Sequence, residues 1–258
     1  MPELAPEQDA YGQLILAALE GGNTAEIVER EDGLIMASAF GTELYLAPYR
    51  RWPSRQKRAM RFVRGRVLDV GSGGGRVALR LQERGQEVVS IDVSPGAVEA
   101  SRRRGVRDAR VLSIDDVDEA LGPFDTIVMF GNNLGLFGSR AKAKRLLRRF
   151  HRLTTERGRI VAETRDVYRT DDPSHLRYQA SNRERGRMSG QLRIRVRYRD
   201  YATPWFDYLM VSQDELRELL EGTGWQLARV LEDDEPTMYI AVIEKEPRSR
   251  ASPAGRRG

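Results

Sequence analysis

Asp69 stands two residues before Gly71, near the end of the apolar run VLDV, and Gly73, Gly74 and Gly75 follow at once in DVGSGGGR. A carboxylate near the end of a buried strand is costly unless something faces it. Glycines at the turn let the backbone bend tightly and come close to a ligand, because they carry no Cβ. Asp92 closes a second apolar run, VVSIDVSP, 21 residues after Gly71. A carboxylate there can accept hydrogen bonds from both hydroxyls of a ribose. Asp115 and Asp116 follow a third run, and Asn132 and Asn133 follow a fourth, FDTIVMFG. The chemistry on offer is ligand binding by acids and bare backbone at the ends of successive strands.

The elements that must position these residues are legible in the same stretch. RVLDV reads as a strand and GRVALRLQERG as a helix with Val77 and Leu81 on one face. EVVSI is a second strand. SPGAVEASRRRG is a helix with Ser94 at the N-cap, Pro95 at its first position and Gly105 as its stop. ARVLSI and FDTIVMF are further strands, SRAKAKRLLRRFHRLTTERG a long helix, and RIVAET a fifth strand. This alternation predicts a parallel sheet with helices on both faces. Ligands of such sheets lie beyond the carboxyl ends of the strands, where the glycine turn falls.

Outside residues 65–164 the rhythm changes. LRYQASN, QLRIRVRYRDY and WFDYLMV read as strands without helices between them, an antiparallel β-lid inserted over residues 165–211. SQDELRELLEGTG is a helix whose Ser212 and Glu215 form a capping box. WQLARVLE and TMYIAVIEK close the chain as two strands joined by DDEP, which places one reversed strand in the sheet. Residues 9–20 read as a helix, and residues 1–64 are expected to form a helical N-terminal cap. The domain proper is expected over 65–246 and a disordered basic tail over 247–258.

Two cofactor classes compete for the glycine loop. The dinucleotide fingerprint G-x-G-x-x-G/A fits at Gly71 and Gly73 but meets Arg76 at its sixth position, where close helix–strand packing wants a small residue. DVGSGGG instead resembles the acid-x-Gly-x-Gly-x-Gly signature of class I S-adenosylmethionine-dependent methyltransferases. That cofactor brings an ammonium and a sulfonium and no phosphate, which suits an acid before the turn. The resemblance implies a Rossmann-like, doubly wound α/β fold with a seven-stranded, mostly parallel sheet and an antiparallel C-terminal hairpin. It implies S-adenosyl-L-methionine as cofactor and S-adenosyl-L-homocysteine as product. It assigns cofactor contacts to Asp69, Gly71, Ser72, Gly73, Gly75, Asp92, Val93, Asp115, Asp116 and Asn132, with Asp115 on the adenine amino group and the Asp116 amide on the ring. The loop over residues 131–136 is expected between cofactor and acceptor. Methyltransferases of nucleic-acid amines often carry Asn/Asp-Pro-Pro-aromatic here; Asn132, Asn133 and Leu134 depart from it. A small-molecule acceptor is therefore expected. The rival readings are an RNA methyltransferase using the basic insertion, a nicotinamide-dependent oxidoreductase, and a cofactor-binding module without turnover.

On the acceptor side, QLRIRVRYR alternates Arg193, Arg195, Arg197 and Arg199 with Leu192, Ile194, Val196 and Tyr198, so a strand shows arginine on one face. That face is a solvated surface or, through Arg195 and Arg197, a grip on an anionic acceptor. Tyr45, Tyr49 and Trp52 are candidates to line the pocket or face a sulfonium by cation–π contact, against an ordinary core role. His175 and Asn132 are candidates for catalysis; His151, on the long helix, is expected to be structural. Methyl transfer needs alignment and water exclusion more than a triad.

Charge and composition narrow the class. The net charge of +5 is uneven: the last twelve residues hold four Arg and no acid, and residues 177–199 hold eight Arg and one acid, Glu184. The remainder is mildly acidic, which weakens a nucleic-acid reading. With no cysteine there is no disulfide framework or thiolate metal site, and no metal is expected. No apolar run reaches the ~20 residues of a membrane span, and the polar, acidic start MPELAPEQDAYGQ is unlike a secretory signal. A cytoplasmic enzyme is the expectation.

Overall fold

The computed structural model describes residues 4–22, 24–37, 43–233 and 237–247. Residues 248–258 of the basic tail, and most of the DDEP turn, lie outside the described residues. The N-terminal segment holds α1 (Ala10–Leu19), β1 (Ile27–Arg30), β2 (Ile35–Ala37), α2 (Glu43–Leu46) and α3 (Ser54–Ala59). There follow β3 (Val67–Val70), α4 (Arg76–Glu83), β4 (Val88–Asp92), α5 (Pro95–Arg103), β5 (Ala109–Val111) and β6 (Phe124–Met129). Then come α6 (Arg140–Leu153), β7 (Thr154–Arg165), α7 (Pro173–Glu184), β8 (Gln191–Tyr198), β9 (Tyr201–Ala202) and β10 (Phe206–Leu209). The chain closes with α8 (Gln213–Leu220), β11 (Trp225–Glu232) and β12 (Met238–Lys245).

Seven strands form the main sheet in the order β11-β12-β7-β6-β3-β4-β5. The pairs β3–β4, β3–β6, β4–β5 and β6–β7 are parallel, and only β12 runs against the rest, as the final hairpin predicted. β3 and β4 are buried throughout, as strands covered on both faces must be. One face packs Phe150, Leu146 and Leu147 of α6 with Leu216 and Leu219 of α8. The other packs Val77 and Leu81 of α4, Val98 of α5, and Trp52 and Ala59 from the N-terminal segment. The helix starts follow local chemistry: Ser94 accepts from the Ala97 amide, Ser139 from Lys142, and Ser212 and Glu215 form the predicted capping box.

The second sheet differs from the expectation. The insertion is not a separate lid: β8, with β9 and β10, pairs with β1 and β2 in the antiparallel order β10-β8-β1-β2. The segment 1–64 is therefore not an all-helical cap, since it gives two strands to this sheet. LRYQASN is not a strand but part of α7, started by Asp172, whose side chain accepts from the Ser174 amide, and by Pro173. TTERG belongs to β7 rather than to the preceding helix.

Register sorts the small sheet's two faces. Val28 lies opposite Val196, Ile194 opposite Phe206, and Leu192 opposite Tyr208, so these residues share one face. Glu29 lies opposite Arg195 and Asp207 opposite Arg193, on the other face. The apolar face turns inward: Tyr198 packs with Ala10 and Leu14 of α1.

α1 joins the two sheets, packing against α5 and β8. Its N-cap, Asp9, is buried and accepts from the Gly12 amide (3.0 Å), the Ser94 hydroxyl (2.5 Å) and the Gly96 amide (2.7 Å). Helix α1 is thus clasped to the start of α5, with Gly12 and Gly96 so close that a Cβ on either would collide. Asp9→Ala leaves three donors unpaired, and an unfolding free energy lower by about 3 kcal/mol is expected. Denaturant titration measures it, with hydrogen exchange in α1 rising first; an unchanged midpoint would show that the clasp carries no weight.

Candidate active site

The glycine loop is built as the sequence demands. Gly71, Gly73 and Gly75 sit at φ +68°, +53° and +74°, a region that residues with a Cβ rarely adopt. The amides of Gly71 and Ser72 both donate to the Ile91 carbonyl, which ties the loop to β4. Asp92 ties it again: one carboxylate oxygen accepts from the Gly73 amide at 2.9 Å and the other from the Ser94 amide at 3.0 Å. A carboxylate offers about four acceptor positions, so two remain for hydroxyls. Burial raises the Asp92 carboxyl above its ordinary range, and the amides from Ser94 and Gly73 oppose that shift.

Asp69 is buried at the carboxyl end of β3, and its Oδ2 has no hydrogen-bond partner. Burial drives its carboxyl up to about 7. The guanidinium of Arg76 opposes that rise and the nearby Asp92 adds to it. Two other polar atoms are buried and unpartnered here, Ser72 Oγ and Asn132 Oδ1. Asn132 sits at φ +68° at the start of the turn after β6. All three residues are ones the sequence assigned to cofactor. Orphaned buried groups at the end of β3 and on the loops after β3 and β6 suit a polar ligand. An amino-acid ammonium, which donates and carries positive charge, fits a carboxylate with one unpartnered oxygen.

Several residues that brace this cleft were not singled out from the sequence. Asn133 donates to the carbonyls of Val70 (3.1 Å) and Gly71 (2.6 Å), holding the two loops together. Glu163, fully buried near the end of β7, accepts from Arg55 Nε (2.7 Å), Gln56 Nε2 (2.6 Å) and the Gly131 amide (2.6 Å). Arg76 donates to Gln56 Oε1 at 2.8 Å and lies 4.6 Å over the Trp52 ring. Glu163 could have been found by the rule that exposed Asp69: it is an acid at the end of an apolar run, IVAE.

The wall opposite the glycine loop is aromatic. Ring atom Cε1 of Tyr11 lies 4.0 Å from where a Cβ on Gly73 would be, and Tyr11 meets Tyr45 edge-on at 5.0 Å. Tyr208 covers Gly135, leaving no room for a Cβ there, and donates to the Asn132 carbonyl. Tyr45 donates to Glu26 at 2.5 Å. Of the sequence-predicted aromatics, Tyr45 reaches the cleft. Tyr49 and Trp52 do not: they pack edge-on at 5.2 Å, and Arg80 and Arg76 lie over their rings.

Other expected residues fall elsewhere. Arg195 and Arg197 lie on the outer face of the small sheet and both pair with Glu29, at 2.8 and 3.3 Å. His175 Nδ1 accepts from Arg30 at 3.0 Å. Arg30 is four residues along β1 from Glu26, roughly 13 Å at strand rise. His151 packs edge-on against Trp225 at 5.5 Å, and Gly224 lies against its ring, a structural place as expected. Asp115 is ion-paired with Lys142 (2.7 Å) and Arg145 (3.4 Å) of α6. Asp115 and Asp116 line a 430 Å³ depression with Arg149 and Arg152 that includes none of the glycine-loop residues. Val93 is partly exposed between Asp92 and the α5 cap.

The methyltransferase-domain family matches residues 67–158, the stretch from β3 into β7. A methyltransferase of Bacteroides fragilis, solved with S-adenosyl-L-homocysteine, is 26% identical with a TM-score of 0.78, over 94% of this chain and 97% of that one. The chain is a class I S-adenosylmethionine-dependent methyltransferase. The methyltransferase is also 25% identical over 204 residues to a glycine/sarcosine N-methyltransferase of Halorhodospira halochloris, covering 71% of this chain and 76% of the relative. It is 24% identical over 205 residues to a glycine/sarcosine/dimethylglycine N-methyltransferase of Actinopolyspora halophila, but spans only 36% of that relative's length. Among the described residues, no helix of the methyltransferase is long and apolar enough to cross a membrane.

If Asp69 meets the cofactor's ammonium, cofactor binding is expected to depend on pH. With its carboxyl near 7, it is largely protonated in the free protein below that pH. A cationic ligand favours the carboxylate, so binding at pH 6 releases a proton and affinity falls as pH drops below 7. Titration calorimetry of S-adenosylhomocysteine in buffers of different ionisation enthalpy measures the release. Asp69→Asn should abolish it; release undiminished in that variant would place the titrating group elsewhere.

Proposed function

We propose that this methyltransferase acts on an amine nitrogen of a small molecule held between the glycine loop and the inner face of the small sheet. S-adenosylmethionine supplies a methyl group carried on a positively charged sulfur. Asp69, Ser72 and Asn132 direct their unpaired atoms to its amino-acid end. Asp92, with its remaining acceptor capacity, takes the ribose beside Val93.

The observation that carries the amine reading is the wall of Tyr11, Tyr45 and Tyr208 around buried Glu26. It offers hydroxyls, a carboxylate and ring faces, which suit N–H donors and a positively charged sulfonium or amine. The guanidiniums expected to grip an anion face outward and are bridged by Glu29. Two relatives named as N-methyltransferases of glycine derivatives support the same reading. The inner face of the small sheet covers the cleft, which favours a small acceptor over a nucleic acid. Absence of cysteine suits the cytoplasm, where we place the enzyme.

Incubation with isotopically methyl-labelled cofactor and a cell metabolite extract, read by mass spectrometry, is expected to yield an N-methylated small molecule. Glycine and sarcosine serve as defined probes beside the extract. Label appearing on RNA, or only on oxygen, would overturn the proposal.

A further inference from the structure

Glu26 is a buried acid that cofactor binding leaves unused. It precedes β1 and shares its parity with Val28, so the strand alternation places it on the inner face of the small sheet. Its Oε2 accepts from Tyr45, and its Oε1 has no hydrogen bond among the described residues. Charged, it acts on Tyr11 on one side and Tyr208 on the other. Tyr11 packs on Gly73, and Tyr208 bonds the turn after β6. Glu26 therefore stands in a ring of side chains that joins the glycine loop to the loop where an acceptor is expected.

We infer that Glu26 accepts the proton given up by the acceptor amine, and that Tyr45 is a positioning residue that holds the carboxylate in place. This rests on the amine reading above. The nitrogen lone pair forms a bond to the methyl carbon as the carbon–sulfur bond breaks, its electron pair staying on sulfur. The N–H proton passes to the Glu26 carboxylate and leaves to solvent on product release. Burial raises the Glu26 carboxyl above its ordinary range, and the Tyr45 bond pulls it back. The titratable groups facing it are Tyr45 from α2, Tyr11 from α1 and Tyr208 from β10.

The test compares wild type with Glu26→Gln, which keeps the shape and a partner for Tyr45. The probes are glycine, sarcosine and a panel of small primary and secondary amines. For the amine that wild type methylates fastest, kcat should fall about a hundredfold or more. The acidic limb of the kcat–pH profile should vanish, while S-adenosylhomocysteine affinity by calorimetry stays within about twofold, since Glu26 only borders the cofactor cleft. Tyr45→Phe should lower kcat about tenfold and shift that limb upward, because the carboxylate loses a stabilising donor. Wild-type kcat with the limb intact in Glu26→Gln overturns the inference and leaves the amine reading standing. A wild-type enzyme that methylates oxygen and no amine overturns the reading itself. If Glu26→Gln fails to bind S-adenosylhomocysteine, Glu26→Asp decides: a retained limb supports the role, and its loss overturns it.

Discussion

Three carboxylates, Asp69, Asp92 and Glu163, are buried at the carboxyl ends of β3, β4 and β7. Like charges gathered in a low-dielectric edge repel, and each must find compensation or stay protonated. The three are compensated differently, and the site follows from the difference. Asp92 is met by backbone amides, so it becomes the strut of the glycine loop. Glu163 is met by Arg55, Gln56 and the Gly131 amide, so it anchors the N-terminal segment and the turn after β6 to the sheet. Asp69 is only partly met, by the field of Arg76, and keeps an unpaired oxygen. A cationic ligand would complete the set that the protein leaves incomplete.

The same logic explains Arg76, which disqualified the dinucleotide reading. Its guanidinium is long enough to lie over Trp52, bond Gln56 and still act on Asp69. Tyr49 and Trp52 thus matter to the site at one remove: they form the platform on which Arg76 and Arg80 rest. An aromatic near a glycine loop need not reach into the cleft; here it fixes the charge that acts on Asp69.

Legibility in the sequence divided along contact range. The strand–helix rhythm of residues 65–164 depends on neighbours in sequence, so periodicity and caps located β3 to β7 and their helices. The small sheet depends on pairing Val28 with Val196, 168 residues apart, and nothing in the four residues of β1, three of them half-buried, announces such a partner. α7 misled because Leu176 and Tyr178 fall at a spacing of two, which mimics a strand. The Asp172–Pro173 start was the better signal, since that pair caps a helix and fixes its first turn. Asn133 and Glu163 owe their roles to partners far along the chain, the Val70 carbonyl 63 residues before Asn133 and Arg55 108 residues before Glu163, which no local pattern announces.

The small sheet separates its charges by face, and its arginines find their partners across the strands. Arg193, Arg195 and Arg197 answer Asp207 and Glu29 across the strands, outside. Exposed pairs of this kind are each worth about 0–1 kcal/mol, so their effect is on register more than on stability. A one-residue slip of β8 would carry arginines onto α1 and strip Glu29 of both partners. Register in turn sets which residues face the cleft: with β8 and β10 in place, Tyr208 lands on Gly135, and with β1 in place Glu26 lands beside Tyr45. The outer arginines therefore act on the cleft without touching it, by holding in register the strands whose other face carries Tyr208 and Glu26.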